Sequence, residues 1–209
     1  MVSKKLLFVP LFLVLLVGCM TPVRPAVKLD MSVPVGKIEG NRFTGIRYPF
    51  NVSAPPNWVV SFNYPAFLLE QGYEKPGLQQ DQLFLYNPAT QASFQIDFET
   101  ADRYTKFTQA SIEWMTNGVG GEALSDTKKQ AGASDVSLGP TEPVTLKGVQ
   151  FAAKKYVAYA WKGIKWQQGW IYGFTEPFQI FLLYMIRDQT SDIEDLKKIL
   201  DSFEVVSKK

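Results

Sequence analysis

Three long apolar segments in the C-terminal half, joined by two tight turns, constrain the fold of this chain most strongly. They are 150–161, 164–174 and 178–186, and the turns are Lys162-Gly163 and Thr175-Glu176-Pro177. Strands joined by such short turns pair as antiparallel hairpins. The third segment is apolar at nearly every position, which indicates a strand buried on both faces. The sequence therefore predicts a sheet with segment 178–186 near its centre.

Shorter segments before this region also have strand character. The clearest is 92–100, in which apolar and polar residues alternate, as in a strand with one buried and one solvent-facing side. Its apolar residues are Phe94, Ile96 and Phe98, and its polar ones are Gln95, Asp97 and Glu99. We also expect strands at 42–48, 50–53, 59–64, 82–86 and 144–146.

Two segments have helical spacing. Residues 105–117 are expected to form an amphipathic helix that ends at Asn117-Gly118, followed by a polar loop to about residue 133. The last helix begins at Ser191 and Glu194, which match a capping box. With strands, helix, strands and helix in this order, we predict an α+β fold with helices packed on a curved, mostly antiparallel sheet. The apolar stripes are Phe107, Ala110, Trp114 and Met115, then Ile193, Leu196, Ile199, Leu200 and Phe203.

The N-terminus has the pattern of a signal sequence. Lys4 and Lys5 precede the twelve residues 6–17, which are apolar except for Pro10. A membrane-spanning helix needs about 20 apolar residues, so this segment is too short to span and has the size of a signal-peptide core.

The signal segment ends in Leu16-Val17-Gly18-Cys19, which resembles the lipobox of bacterial lipoproteins. That resemblance implies cleavage between Gly18 and Cys19 and a diacylglycerol on the Cys19 sulfur. Two or three acyl chains would anchor the protein stably in a membrane. Met20 stands where an Asp would signal inner-membrane retention, which favours the periplasmic face of the outer membrane. The alternative is an ordinary secretory signal with an unmodified cysteine.

These features divide the chain into three parts. Residues 1–18 would be the lipoprotein signal peptide, 19–41 the acylated cysteine and a flexible tether, and 42–209 one α+β domain. The tether is expected because 20–42 is proline-containing and has no period; fully extended, it would reach about 80 Å. The alternative is that part of it, such as 33–38, packs on the domain.

The composition excludes several classes of chemistry. The 209 residues include no histidine, and Cys19 is the one cysteine, so Ser-His-Asp triads, histidine metal sites and intrachain disulfides are impossible. Loss of residues 1–18 would remove Lys4 and Lys5 and no acidic residue, leaving equal numbers of basic and acidic side chains. No stretch forms a basic patch, so no nucleic-acid partner is expected.

Two short motifs resemble the PsbP-like family. They are the opening Tyr48-Pro49-Phe50-Asn51-Val52-Ser53-Ala54-Pro55-Pro56-Asn57-Trp58 and the closing Ile199-Leu200-Asp201-Ser202-Phe203. The resemblance implies an α-β-α sandwich around a curved, mostly antiparallel sheet. Members of that family include photosystem extrinsic subunits and bacterial lipoproteins of unassigned role. The fold has no catalytic motif, so the resemblance carries over no active residue.

Two acidic groups and one glycine-rich segment are candidate catalytic, metal or phosphate sites. Asp97 and Glu99 lie about 7 Å apart on one strand face and could serve a hydrolase, although a solvated face explains them equally well. The acidic residues before and within the last helix are explained by the helix dipole, with calcium as the alternative. Gly118-Val119-Gly120-Gly121 lacks the phosphate-loop pattern. These acidic residues are Asp188, Asp192, Glu194 and Asp195.

The dense aromatic residues after 150 offer one candidate binding surface. These aromatic residues are expected to fill the core, as for Trp166, Trp170, Tyr172 and Phe174. The alternative is that Tyr159 and Trp161, with Lys162 and Lys165, form an exposed hairpin tip able to recognise a protein, glycan or lipid headgroup.

These observations favour a membrane-anchored, non-enzymatic accessory or assembly factor that binds a partner protein at the membrane surface. No catalytic residue, metal or cofactor is expected. The first alternative is a carrier that holds a hydrophobic ligand between sheet and helices, in a cavity of a few hundred Å³. The second is a hydrolase that uses Asp97 and Glu99.

Overall fold

The computed structural model describes residues 21–70, 82–130 and 132–206. The signal peptide and Cys19 therefore lie outside the described residues. In chain order the elements are β1 (Gly36–Glu39), β2 (Arg42–Gly45), β3 (Phe50–Ser53), β4 (Val59–Ser61), α1 (Ala66–Glu70), β5 (Leu83–Asn87), β6 (Ala92–Thr100), α2 (Gln109–Lys129), β7 (Ala133–Leu138), β8 (Glu142–Pro143), β9 (Phe151–Trp161), β10 (Ile164–Thr175), β11 (Phe178–Arg187), α3 (Thr190–Ser202) and β12 (Glu204–Val205).

The strands form two antiparallel sheets. The small sheet has the order β1-β2-β3-β12, and the large one has the order β4-β5-β6-β11-β10-β9-β7, with β8 paired to β9. The predicted α+β class is confirmed. We expected one curved sheet, whereas the early strands pair with the C-terminal β12 and form a separate layer.

Strand β11 is central, as predicted, because it pairs with β6 on one side and β10 on the other. Its alternate side chains enter two different cores. Ile180 and Leu182 are fully buried in the larger core, beneath the small sheet and α3. Phe181 and Leu183 are half-buried on the opposite face, together with residues of α1 and α2.

The larger core is built on stacked aromatic rings. The Phe50 ring lies 4.9 Å from that of Phe98 and 5.7 Å from that of Phe203. These three residues belong to β3, β6 and the end of α3, so the stack joins the small sheet, the large sheet and the closing helix. Burial of aromatic area of this kind is a main source of folding free energy.

The last helix lies where predicted, but its N-terminus is built differently. The helix begins at Thr190, and its N-cap, Gln189, makes no side-chain capping bond. The predicted capping box of Ser191 and Glu194 is therefore wrong. Asp192, in the first turn, is buried and accepts hydrogen bonds from the Gln189 Nε2 at 2.8 Å and the Arg187 backbone N–H at 3.3 Å. In the predicted stripe, Leu196, Ile199 and Phe203 are buried, Leu200 is half-buried and Ile193 is exposed.

Helix α2 is longer than predicted. A capping box of Thr108 and Ser111 starts it, and it continues past Asn117-Gly118 to Lys129. The predicted end was wrong because tertiary packing offsets the poor helix propensity of the glycines. The Trp170 Nε1 donates to the Thr116 carbonyl at 2.8 Å, which secures the helix to β10 just before the glycines.

The predicted stripe of α2 was also wrong in part. Ile112, Thr116 and Gly120 face the sheet, whereas Ala110 and Trp114 are exposed. Phe107 is buried as expected, just before the helix. Three other strand predictions differ: β2 ends at Gly45, β4 ends at Ser61, and 144–146 forms no strand, since only β8 pairs there with β9.

The described part of the predicted tether contacts the domain. Strand β1 pairs with β2, and Val35 is buried in the larger core. Further upstream, Arg24 is buried and bonded to Glu176 and to the carbonyls of Asp102 and Thr105. Packing of part of this segment, which the sequence left open, therefore describes it better than a free tether.

Candidate functional site

The predicted hairpin tip exists, but its aromatic residues are largely covered. Lys162 and Gly163 both have positive φ, 49° and 76°, as a two-residue hairpin turn requires. Tyr159 is buried against Trp166, its cross-strand neighbour, so it belongs to the core, as the favoured interpretation had it, and not to an exposed tip. Trp161 is half-buried, and the Lys162 Nζ lies 4.1 Å from its ring centre. The tip therefore presents mainly the exposed Lys162 and Lys165.

The two carboxylates of β6 have different surroundings. Burial raises the pKa of Asp97 to about 6, and the charge of Glu99 adds to this, while bonds from Gln95 and Gln82 oppose it. The Gln95 Nε2 donates to Asp97 Oδ2 at 3.1 Å, and the Gln179 amide donates to the exposed Glu99. Asp97 Oδ1 is buried without a partner in the described part of the chain.

A shallow cleft opens on the same face of the large sheet, between α1 and strands β5, β6, β10 and β11. Its volume is about 50 Å³, enough for a few water molecules and too small for an acyl chain. Among the described residues, neither Asp97 nor Glu99 lines it. Its lining residues are Tyr64, Leu68, Phe84, Ser93, Gln95, Gln168, Leu183 and Met185.

Three of the four acidic residues near the last helix have structural partners. Asp192 accepts bonds from Gln189 and Arg187, just before the helix, and Asp195 accepts a bond from the Trp58 Nε1 at 2.9 Å and pairs with Lys198 at 3.0 Å. Asp188 accepts a bond from the Gln167 amide at 3.0 Å. Across the described ranges, no three Asp, Glu, Cys or His side chains are arranged to hold a metal ion.

The most exposed aromatic side chain of the described chain lies on α2. Trp114 is 77% exposed and points away from the sheet, opposite the buried Ile112, Thr116 and Gly120. We call the outward side of this helix the Trp114 face. Its exposed residues are Ala110, Trp114, Asn117, Gly118, Gly121, Glu122 and Ser125.

Two glycines of the Trp114 face have no role in the chain's own packing. A Cβ at Gly118 or Gly121 would meet nothing within 4 Å, whereas one at Gly120 would lie 3.0 Å from the Lys155 side chain and 3.2 Å from Trp170. Glycine inside a helix is unfavourable by about 0.5–1 kcal/mol relative to alanine. Gly118 and Gly121 therefore leave a low, open surface beside the Trp114 indole.

A buried lysine holds one edge of this face. Lys155 of β9 passes under Gly120, and its Nζ donates to the Asn117 Oδ1 at 2.5 Å and the Thr141 Oγ1 at 3.2 Å. These bonds fix Asn117, one turn from Trp114. Sequence reasoning missed the face because it placed Trp114 in the core and ended the helix before Gly118. The unusual density of glycine in 118–121 was the available signal.

No helix of the described residues is both long and apolar enough to cross a membrane. The sequence matches no protein family and no curated protein.

Solved structures resemble the chain at low identity. A crystal structure from Bacteroides thetaiotaomicron is 14% identical, with a TM-score of 0.45; the match covers 82% of this chain, which spans half (50%) of that one. LpqN, involved in cell envelope biogenesis of Mycobacterium tuberculosis, is 13% identical over 76% of this chain and 83% of its own, with a TM-score of 0.45.

Cyanobacterial PsbP (CyanoP) from Synechocystis sp. PCC 6803 gives a TM-score of 0.50. It is 9% identical, and the match covers 88% of this chain and 100% of CyanoP. At this identity the likeness concerns the fold alone. The chain has a PsbP-like α+β fold, as its opening and closing motifs predicted.

Proposed function

We propose that this chain is a membrane-anchored bacterial lipoprotein of the cell envelope that acts as a non-enzymatic accessory or assembly factor. The acyl anchor would be carried by Cys19, on the periplasmic face of the outer membrane. The domain would bind a partner protein through the Trp114 face of α2. The lipobox resemblance supports the anchor, and the surface of α2 supports the partner.

The exposure of Trp114 carries the proposal of a protein partner. A tryptophan side chain exposes a large apolar area to water, and tryptophan is enriched among the residues that dominate binding energy at protein interfaces. Trp114 contributes nothing visible to the core, so burying its indole in an apolar pocket of a partner would gain free energy without disturbing the fold.

The glycines beside Trp114 also favour a protein partner at this face. Gly118 and Gly121 let another polypeptide backbone or helix approach α2 closely, and the chain's own packing does not require them. The partner surface that fits would have an apolar pocket for the indole and a helix or strand lying across the glycines. A second copy of this chain is the competing occupant.

The two alternatives have less support. A hydrophobic-ligand carrier needs a cavity several times larger than the cleft of about 50 Å³ beside α1. A hydrolase needs two carboxylates facing a substrate site, whereas Asp97 is largely buried and the exposed Glu99 is bonded to Gln179. The raised pKa of Asp97 is explained by burial.

Crosslinking in cells tests the proposal. A photo-reactive amino acid placed at residue 110 of the full-length protein, on the Trp114 face one turn before the indole, should give a reproducible adduct with one envelope protein, identified by mass spectrometry. The matched control is position 193, where Ile193 is also an exposed apolar residue on a helix. An equal yield of the same adduct at both positions would refute a specific Trp114 face.

A second measurement distinguishes a partner protein from a second copy of this chain. Trp114→Ala should abolish capture of the partner and leave the unfolding free energy within about 0.5 kcal/mol of the wild type, as is usual for exposed positions. Ile193→Ala should leave capture intact. An adduct between two copies, together with dimer mass in light scattering, would assign the face to self-association instead.

A further inference from the structure

We propose that the domain is held directly against the bilayer that carries its anchor, with one defined end facing the lipid headgroups. That end, the membrane-facing end, consists of Val23, Arg103, Tyr104 and Lys106. This inference rests on the proposed lipid anchor at Cys19 and goes beyond it by assigning an orientation and a lipid-contacting surface.

The first observation is a clamp on the chain just after the anchor. The Arg24 guanidinium donates to the carbonyls of Asp102 and Thr105, the latter at 2.9 Å, and pairs with the Glu176 carboxylate at 3.3 Å. Its Cζ also lies 5.1 Å from the ring centres of both Phe107 and Phe174. We call this arrangement the Arg24 clamp.

The backbone reinforces the clamp. The Val23 N–H donates to the Arg103 carbonyl at 2.8 Å, and the Arg103 Nε donates to the Arg24 carbonyl at 3.4 Å. A charged side chain that is buried, bonded and stacked in this way has a defined position, because breaking these contacts would leave polar groups unsatisfied.

The second observation is the short distance along the chain to the anchor. Arg24 is five residues after Cys19, so the two Cα atoms are separated by at most about 18 Å even if the chain is fully extended. A tether reaching residue 41 would have allowed about 80 Å. The clamp thus removes most of the freedom that the predicted tether would have given the domain.

The surface beside the clamp is suited to a bilayer. Val23 and Tyr104 are 55% and 47% exposed, and Lys106 is exposed next to them. The Arg103 Cζ lies 6.0 Å from the Tyr104 ring centre. Tyrosine favours the headgroup level of membranes, and basic side chains are attracted to anionic lipids. The carboxylate of Asp102, whose backbone carbonyl belongs to the clamp, accepts a bond from the Thr105 hydroxyl.

The orientation places the two ends of the large sheet at different heights. The clamp contacts the end of β10, at Phe174 and Glu176, and the β9–β10 hairpin tip lies at the other end of the same strand. The twelve residues of β10 span about 40 Å. Lys162 and Lys165 would therefore point away from the bilayer. The Trp114 face would then lie roughly perpendicular to the bilayer plane.

Distances to the bilayer test this orientation. Single cysteines are introduced as Lys106→Cys, at the membrane-facing end, and Lys162→Cys, at the hairpin tip, and each is nitroxide-labelled in the full-length lipoprotein. The proteins are reconstituted in phosphatidylethanolamine–phosphatidylglycerol vesicles that contain a nickel-chelating lipid. Nickel should enhance relaxation of the label at position 106 several-fold more than that of the label at position 162.

Two controls separate the possible failures. Insertion of about twenty Gly and Ser residues after Thr21 keeps the anchor and the clamp but lengthens the connection, so the difference between the labels should disappear. Equal relaxation at both positions in the original chain would overturn the orientation. An acylated Cys19 takes up no thiol label, so labelling of the unsubstituted protein would show that the anchor, and with it both proposals, is wrong.

Discussion

The indole Nε1 of Trp58 donates a hydrogen bond to the Asp195 carboxylate across 2.9 Å, although 137 residues separate the two positions. Trp58 ends the proline-rich turn after β3, and Asp195 lies in the closing helix. The bond joins the opening motif of the PsbP-like resemblance to the helix that also carries the closing motif, which begins four residues after Asp195. Both motifs therefore belong to one packed unit, in which the small sheet and α3 cover the large sheet.

Removing this bond should destabilise the domain. Trp58→Phe keeps most of the buried aromatic area but loses the donor, and we expect the free energy of unfolding to fall by about 1.5–3 kcal/mol, as for a hydrogen bond to a charged group. Urea denaturation measures the change. Lys198→Ala, which removes the exposed partner of Asp195, is the control and should change stability by less than about 0.5 kcal/mol. Equal losses in the two variants would contradict the assignment.

Alanine substitutions at the glycines of α2 should change the free energy of unfolding in opposite directions. Gly118→Ala and Gly121→Ala should each raise the free energy of unfolding by about 0.5–1 kcal/mol, because the new methyl group meets open space and the unfolded chain loses freedom. Gly120→Ala should lower it, because the Cβ would press on Lys155 and Trp170. Thermal and urea unfolding of the three variants would settle the comparison, and stabilisation by Gly120→Ala would refute the packing described here.

The same substitutions connect stability to function. If a partner approaches α2 closely, Gly118→Ala and Gly121→Ala should weaken capture through the Trp114 face while stabilising the free protein. Quantitative crosslinking from residue 110 in these backgrounds, with Trp114 intact, gives the answer. Undiminished capture by both variants would mean that the partner contacts the indole without approaching the helix backbone.

Asp97 should make stability fall as pH rises. Its pKa in the folded protein is about 6, above the value near 3.9 of an unfolded chain, so the folded state retains a proton that the unfolded state releases. The contribution is fully present below about pH 4 and is lost as the pH rises through 6. Relative to the wild type, Asp97→Asn should gain about 2–3 kcal/mol between pH 4 and pH 7.5.

Urea titrations at several pH values measure this gain, and Glu99→Gln, at the exposed carboxylate on the same strand face, is the matched control. Its stability relative to the wild type should change far less over the same range. A flat difference between Asp97→Asn and the wild type would mean that the Asp97 carboxylate is solvated.

The Arg24 clamp should control the order of the N-terminal segment. Arg24→Ala removes three donors and the contact with two rings, so hydrogen exchange of the backbone amides of residues 23 and 24 should accelerate strongly while the strands β9 to β11 keep their protection. Glu176→Gln should have a small effect, because Glu176 is half-exposed and the two carbonyl bonds remain. Mass-spectrometric hydrogen exchange reports both regions in one experiment.

Local patterns in the sequence were sufficient where an element depends on its own residues. The hairpin turn at Lys162-Gly163, the alternation of Phe94, Ile96 and Phe98, and the double burial of β11 all followed from spacing and turn chemistry, and the structure has them. Each of these features is set by neighbours in sequence, because side-chain period and turn conformation are properties of a few adjacent residues.

Tertiary packing decided what local rules could not. Helix α2 runs through Gly118 because Ile112, Thr116 and Gly120 fit the sheet, and a residue's stripe position does not reveal which side the sheet will occupy. With α2 packed on the sheet in this way, Trp114 is exposed to solvent. In the same core, Tyr159 is buried against Trp166. The N-terminal segment follows the same logic, since the donors and acceptors of the Arg24 clamp come from positions about 80 and 150 residues away.

By itself, therefore, the sequence determined the α+β class, the antiparallel hairpins and the lack of imidazole chemistry. The tertiary structure alone decided where α2 ends, which aromatic residues reach the surface and where the N-terminal segment is fixed. The physical reason is that the former depend on the period and chemistry of adjacent residues. The latter depend on free energies gained only when distant segments meet and exclude water.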